Sequence, residues 1–430
     1  MKLTEEFKNY IDESPVSYFA VNEAEKMMKD KGFIKLDSSK KWELDQNHSY
    51  YITNNDSSFI AFKIGNIEEN LGFKIVGSHT DSPTLRIKSN AIIKREESVL
   101  LNVEKYGGLI LSTWFDRPLS IAGRVIVKSD TINPKIELVK IDKDLLIIPS
   151  LAIHMTKKED ENINVQENML PLVGMDGESY EDLVEEILAK DLNISKDDIL
   201  DYDLYLYDRQ KGSIVGVNDE FLSIGRIDNL GSVFTSLKAL IDADYSEGIS
   251  VVIATDNEEV GSMTIMGADS PMIENTLERI LIGLGHTRES FFTACENSFM
   301  ISADQAHAVH PNYAAAADPT NRPRMGKGIV IKYSSSKSYS SDGYSAAVFK
   351  NICKAADVPF QTFYNRSDRR GGSTIGPITQ SRVNIKSVDI GAPMLSMHSV
   401  RELMHVDDIE YMYRTFKVFF EMDANKFIKL

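Results

Sequence analysis

Ile249-Ser250-Val251-Val252-Ile253-Ala254-Thr255-Asp256-Asn257-Glu258-Glu259-Val260-Gly261-Ser262 is the stretch that decides the fold reading. It opens as a run of β-branched and small residues, which suits a strand buried on both faces. Asp256-Asn257 ends the run. Strands of that kind belong to α/β proteins, whose sheets carry helices on both sides. Directly beyond stand two adjacent glutamates, Glu258 and Glu259. Like charges repel at close range, so carboxylates placed side by side at a strand's end need something positive nearby.

Working outward, other apolar runs also end at acidic or imidazole side chains. Phe73-Lys74-Ile75-Val76 reads as a strand and runs into Gly77-Ser78-His79-Thr80-Asp81-Ser82-Pro83. A histidine there can bind a metal through one ring nitrogen while a carboxylate holds the other ring N–H. The plain alternative is a loop histidine with an incidental aspartate. Residues 299–303 read as a strand leading to Asp304-Gln305-Ala306-His307-Ala308-Val309-His310. Ligation and hydrogen bonding in a site wall both suit His307 and His310. Residues 383–390 read as a strand that leads to Met397-His398-Ser399. Upstream, Gly225-Arg226-Ile227-Asp228-Asn229 precedes a helical pattern of Leu230, Val233, Phe234, Leu237 and Leu240. Asp228 therefore suits a helix cap, and a metal ligand as well if oxygens are to spare.

Near Asn90 the texture changes. Val99, Leu101 and Val103 alternate with Leu100 and Asn102, Gly107-Gly108 follows, and short strands are expected at 109–111, 119–127 and 136–141. Residues 157–168 are polar and expected to be exposed or mobile. Residues 180–192 read as an amphipathic helix, and residues 203–207 alternate again. The prediction is an α/β outer domain of residues 1–90 and 214–430, with a β-rich insert at 91–213. The insert holds His154; nothing beside it marks a site, so its residues favour a packed or surface role.

In the outer domain, Ser14-Pro15 suits a helix start, with Phe19, Ala20, Ala24, Met27 and Met28 on one face. Residues 50–53 and 59–64 read as strands, and 269–284 as a helix. Lys332 to Tyr339 reads as a serine-rich loop after a strand at 329–331, a common place for substrate contacts. Gly371-Gly372-Ser373-Thr374 suits a helix start that faces a polar ligand. Asp407 suits the cap of a last helix.

The chain has 430 residues, enough for one large domain or two ordinary ones. Its net charge of −16 argues against nucleic acid or an anionic membrane as partner. No apolar run is long enough to cross a bilayer, and Met1-Lys2-Leu3-Thr4 lacks a signal peptide's apolar core. The two cysteines, Cys295 and Cys353, exclude a disulfide framework and point to the cytoplasm.

In an open α/β sheet, ligands bind beyond the carboxyl ends of the strands. His79, Glu258, Glu259, Asp304 and His398 all follow predicted strands, and Asp228 heads a helix. Their donor types suit zinc, with manganese or cobalt also fitting. A plausible pair of ion sites shares Asp228: His79 and Asp304 complete one, Glu259 and His398 the other. A bridging hydroxide would then balance the charge. Glu258, left unliganded beside Glu259, stands where a general base belongs. A purely structural ion-pair network lacks cations in these motifs, Arg226 being the only one nearby in sequence.

Taken together these segments resemble the aspartyl aminopeptidases, a binuclear zinc exopeptidase family. The matching pieces are Gly77 to Pro83, Arg226-Ile227-Asp228-Asn229, Asp256 to Ser262, Ser302-Ala303-Asp304 through Tyr313, Gly376-Pro377-Ile378, and Met397-His398-Ser399-Val400-Arg401-Glu402. They span nearly the whole chain in the family's order. The resemblance implies a mixed-sheet catalytic α/β domain with an inserted β-rich dimerisation domain. It implies the ligand roles above, with Glu258 as base and Asp81 orienting His79. It implies substrate contacts from Lys332 and Tyr339, and from His154 reaching a neighbouring subunit's site, where a ligand role has also been assigned to such a histidine. It further implies a tetrahedral dodecamer built from dimers, enclosing a chamber for short peptides.

The expected activity is release of N-terminal residues by attack of the metal-bridging hydroxide, with acidic first residues favoured through the Lys332 ammonium. Neutral-residue preference is the alternative specificity. A different binuclear family is opposed by His307-Ala308-Val309-His310, and a non-catalytic metal-binding scaffold by the unliganded Glu258.

Overall fold

The computed structural model describes residues 2–67, 71–156, 162–175, 180–369 and 371–423. A nine-stranded mixed sheet runs through it in the order Ile34–Lys35, His48–Asn54, Ser58–Ile64, Ile249–Thr255, Phe73–His79, Phe299–Ala303, Lys386–Gly391, Ile329–Tyr333, Phe360–Tyr364. The four strands Ile249–Thr255, Phe73–His79, Phe299–Ala303 and Lys386–Gly391 are mutually parallel. Their carboxyl ends therefore share one edge, where the chain continues into Asp256, Thr80, Asp304 and Ala392.

Every residue of Ile249–Thr255 is buried, as an apolar run covered on both faces requires. Successive side chains point to opposite faces. Val252 and Ala254 join Phe234, Ile301, Phe349, Phe416 and Phe420 under helices Ile227–Asp242, Gly343–Ala355 and Val406–Glu421. Val251 and Ile253 join Leu277, Ile280, Phe291 and Met300 under helices Met272–Gly283 and Arg288–Glu296. Each of the larger side chains among these, from valine upward, contributes roughly 1.5–3 kcal/mol by leaving water.

A second, antiparallel sheet has the order Lys135–Lys140, Leu119–Val127, Ile199–Asp208, Thr84–Arg95, Ser98–Tyr106, Leu172–Met175. It has its own core, including Leu85, Val103, Ile121, Val125 and Leu204, closed by Leu188 of helix Leu183–Leu192. This sheet begins at Thr84, ahead of the expected change at residue 91, because Leu85 and Ile87 already point into its core. A third, small sheet has the order Ser213–Val215, Phe221–Ile224, Glu402–His405, Pro393–Leu395, Ala306–His307.

Several boundaries differ from expectation for local reasons. A helix Lys2–Glu13 precedes Ser14, and the next helix runs Ser17–Asp30 with Val16 at its cap. Ser14 closes the first helix instead of opening the second; the Arg226 guanidinium takes the carbonyls of Ile11 and Ser14. Residues 109–111 form no strand and lead into a 3-10 turn, Leu111–Trp114. Val383 ends the helix Ile375–Val383, and Asn384, at φ 52°, turns the chain into the strand that starts at Lys386. His405, not Asp407, caps the last helix, its Nδ1 accepting the Asp407 N–H. Lys332 lies within the strand Ile329–Tyr333, not in the serine-rich loop. Part of the polar stretch 157–168, residues 157–161, lies outside the described residues. Cys295 and Cys353 are buried thiols. Among the described residues no helix is long and apolar enough to cross a membrane.

Candidate metal centre

His79 closes its strand with its ring buried. Nδ1 lies 3.1 Å from the Asp81 carbonyl and 3.3 Å from Asp81 Oδ1. Its Nε2 faces Asp228 Oδ1 at 3.5 Å and Asp304 Oδ1 at 3.7 Å. His398 mirrors it from the other side: Nδ1 meets the Gly108 carbonyl at 2.7 Å, and Nε2 faces Asp228 Oδ2 at 3.5 Å and Glu259 Oε1 at 3.3 Å. The other four expected ligands thus gather around one carboxylate, Asp228, which turns one oxygen to each imidazole. Arg226, not Asp228, stands at the N-cap of the helix Ile227–Asp242, so Asp228 is not the cap that its position suggested.

This arrangement is unfinished without positive charge. Both Nδ1 atoms face carbonyls, so they carry the ring hydrogens and each Nε2 presents a lone pair. A lone pair there would face carboxylate oxygens, acceptor to acceptor, so the site calls for a metal ion or, without one, a proton on each Nε2. Asp228 Oδ1 is buried without any hydrogen-bond donor, a rare state for a buried polar atom. One ligand atom each from His79, Asp228 and Glu259 lies within 4.8 Å of the others. Burial alone would lower the His398 pKa, yet Asp228 and Glu259 outweigh it and push it up to about 11. His79 is likewise raised, burial being overcome by Asp228, Asp304 and Asp81. The cluster attracts cations, and its nitrogen and carboxylate donors fit zinc.

Glu258 and Glu259 sit on a short 3-10 turn, Glu258–Val260. Asp81 pins that turn: Oδ1 accepts the Glu258 N–H at 3.2 Å and Oδ2 the Glu259 N–H at 3.1 Å. Glu259 is thereby turned to His398, while the Glu258 carboxyl, pushed up to about 8 by burial with Asp304 and Glu259 adding to it, makes no ion pair with either imidazole.

The remaining expected residues fall into two groups. Lys332 and Tyr339 are beside the cluster: the Lys332 ammonium is 3.3 Å from Asp304 Oδ2 and 5.3 Å from the Tyr339 ring centre. His307 is within electrostatic reach of Lys332, Asp228, Asp304 and His398. With His310, Tyr313, Phe363 and Ser396 it lines a cavity of about 330 Å³. His310 also caps a turn, its Nδ1 accepting the Asn312 N–H at 3.2 Å. His154 lies elsewhere, in an exposed turn between Leu151 and Thr156.

Three participants had no role in the sequence reading. Tyr106 donates to Asp81 Oδ2 at 2.8 Å and accepts from Asn257 Nδ2 at 2.9 Å; a tyrosine ending an insert strand carries no signal for this. Asp256 is buried 4 % exposed, its carboxyl pushed up to about 7 by burial and Asp81; its position at the strand's end was the available clue. Glu402 stands in the segment after His398 and accepts backbone N–H groups from Asp228 and His398.

The chain is similar to known proteins over nearly its whole length. The Clostridium novyi protein named "Probable M18 family aminopeptidase 2" is 48% identical over 429 residues, covering 98% of this chain and 99% of its own. A chain of the solved Ape4 and Nbr1 complex superposes with a TM-score of 0.96 at 35% identity, covering 100% of this chain and 87% of that one. The solved mApe1 dodecamer of S. cerevisiae superposes at 0.85 with 25% identity, covering 99% of this chain and 97% of that one. The family described as "Aminopeptidase I zinc metalloprotease (M18)" matches residues 10–420, and the chain belongs to it.

Proposed function

We propose that this metalloaminopeptidase holds two zinc ions and releases N-terminal residues, acidic ones preferentially, from short peptides. One observation carries the reading: the two imidazole Nε2 atoms face opposite oxygens of a single buried carboxylate, each at 3.5 Å. His79, Asp304 and Asp228 would hold one ion; His398, Glu259 and the same Asp228 the other. Ions bound there supply Lewis acidity toward the peptide carbonyl and an acidified water. Manganese or cobalt suits the same donors.

The chain's own residues do the rest. Glu258 takes the proton of the attacking water on a carboxylate oxygen and passes it to the departing amine. Asp81 fixes the turn that separates Glu258 from Glu259 through two N–H bonds, and fixes the His79 ring. An ammonium has three N–H donors. Lys332 gives one to Asp304 and one to the Gln305 carbonyl, and the third is the donor we assign to an acidic first side chain. Tyr339, His307 and His310 form the surrounding wall.

We further propose that copies of the chain assemble as dimers into a tetrahedral dodecamer, with the sheet of residues 84–208 as the dimerisation element. Leu151, Ile153 and Met155 around His154 are 54%, 80% and 68% exposed. Apolar side chains that open to water suit burial against another copy, and His154 would thereby reach the neighbour's site. Likeness to the mApe1 dodecamer supports the assembly. Two unpaired thiols support a cytoplasmic home.

The test is metal stripping, then stepwise return of zinc, manganese or cobalt, with Asp-, Glu- and Leu-initiated peptides assayed at each step. Activity should vanish and return as two equivalents bind, with acidic peptides turned over fastest. Full activity in the stripped protein would sink the reading.

A further inference from the structure

Glu402 opens the strand Glu402–His405, the middle strand of the five-stranded sheet. On one side it pairs with Phe221–Ile224, Ile224 opposite Glu402, and that neighbour runs on to Asp228. On the other side lies Pro393–Leu395, Leu395 opposite Leu403, which runs on to His398. The strand thus separates two segments that each deliver a residue of the metal cluster.

The side chain of Glu402 joins those segments. The residue is 2% exposed. Its Oε2 accepts the Asp228 N–H at 3.1 Å, and its Oε1 accepts the His398 N–H at 2.8 Å. Keeping a carboxylate out of water is costly unless its oxygens are satisfied, and here each oxygen is taken by the backbone of a cluster residue. Among the described residues no lysine or arginine forms an ion pair with it. His398 also stands at φ +66°, a conformation that costs a non-glycine residue about 1 kcal/mol or more and needs outside support.

We propose that Glu402 is a positioning residue: it sets the spacing between Asp228 and His398, and so the affinity of the ion site built by Asp228, Glu259 and His398. The inference rests on the two-ion reading above. Its effect falls mainly on that site, where Glu402 holds two ligands; at the other ion it reaches only the shared Asp228, because His79 and Asp304 take their positions from the ends of Phe73–His79 and Phe299–Ala303 in the central sheet. The hydrogen bonds of Glu402 go to Asp228 and His398, not to His79 or Asp304.

The experiment uses the full-length chain, stripped of metal and titrated with zinc against a competing chromophoric chelator. Glu402→Gln keeps the shape but turns an NH₂ toward a backbone N–H. Glu402→Asp keeps both oxygens but falls one methylene short. Wild type should show two binding steps. Both variants should weaken one step by about tenfold or more, the usual cost of losing a partner that orients a ligand, and the other step by less. In peptide assays at limiting zinc, kcat should fall more than KM changes. Unchanged affinity at both steps overturns the proposal. So does equal weakening of both steps, or loss of folding in both variants, since either marks a general structural role. A wild type with a single step overturns the two-ion reading instead, and the variant-to-wild-type affinity ratio on that step still decides Glu402: a ratio of one rejects it.

Discussion

The ammonium of Lys332 lies 3.3 Å from Oδ2 of Asp304, at a residue only 3% exposed. Asp304 turns its other oxygen toward His79. A single buried cation therefore backs one of the proposed metal ligands while standing at the edge of the site. Burial opposes that charge, but Asp304 and its neighbours outweigh burial and hold the Lys332 pKa above its ordinary value.

Lys332→Ala has two separable effects. Removing the cation leaves Asp304 buried without its ion-pair partner, so kcat/KM falls on every substrate. Losing a charge-assisted contact adds a loss confined to acidic peptides, about tenfold for one such bond. The measurement is the ratio of kcat/KM for Asp- and Leu-initiated peptides. A fall in that ratio supports substrate contact; equal losses restrict Lys332 to holding Asp304.

Glu258→Gln tests the proton carrier. Its carboxylate makes no ion pair with either imidazole, whereas Glu259 faces His398 at 3.3 Å. The amide keeps size and hydrogen bonding but cannot take a proton. Metal content should stay at the wild-type level while kcat drops by about 10²–10⁴-fold, the usual contribution of general acid–base help. Near-normal turnover would remove Glu258 from the mechanism.

The cluster was legible because its parts sit at strand ends. His79, Asp304 and the Glu258-Glu259 pair each follow an apolar run, and parallel pairing carries such ends to one edge. The same rule places His398, and a helix start places Asp228, though both arrive through the small sheet instead. That sheet was not legible, since its strands are short and the pairings that join its two hairpins and Ala306–His307 lie far apart in sequence. Glu402 is the consequence: its role depends on two hydrogen bonds to backbone, which leave no side-chain pattern. Lys332 shows a different limit. Its neighbours Tyr333 and Ser334 read as polar loop, but pairing with Phe360–Tyr364 extends the strand through Tyr333.

Gly391 tests how closely the central sheet fixes Asp304. A Cβ on Gly391 would lie 2.0 Å from the Asp304 carbonyl oxygen and 2.9 Å from the Ala306 nitrogen. These are backbone atoms, held by bonds from Asp304 N–H to the Ile390 carbonyl and from Ala306 N–H to the Ala392 carbonyl, both 2.9 Å. They cannot yield as a flexible side chain would. Gly391→Ala should destabilise by about 1–3 kcal/mol, the range for overpacking, and lower zinc affinity with it. Urea unfolding and a zinc titration check both; wild-type values in each would show that the Asp304 segment moves freely.

Mixed assemblies decide whether His154 serves a neighbouring copy. Within one chain it lies in an exposed turn and lines neither cavity beside the cluster. A purely local role predicts that His154→Ala and Glu258→Gln subunits stay inactive together. If His154 crosses a two-fold interface, a mixed dimer rebuilds one site: the His154→Ala subunit supplies an intact Glu258, and its partner supplies the missing imidazole. Co-expression with random pairing should then recover about a quarter of the wild-type rate, because half the dimers are mixed and each holds one complete site. Activity no greater than that of the separate variants would confine His154 to its own chain, and the apolar residues around it would need another explanation.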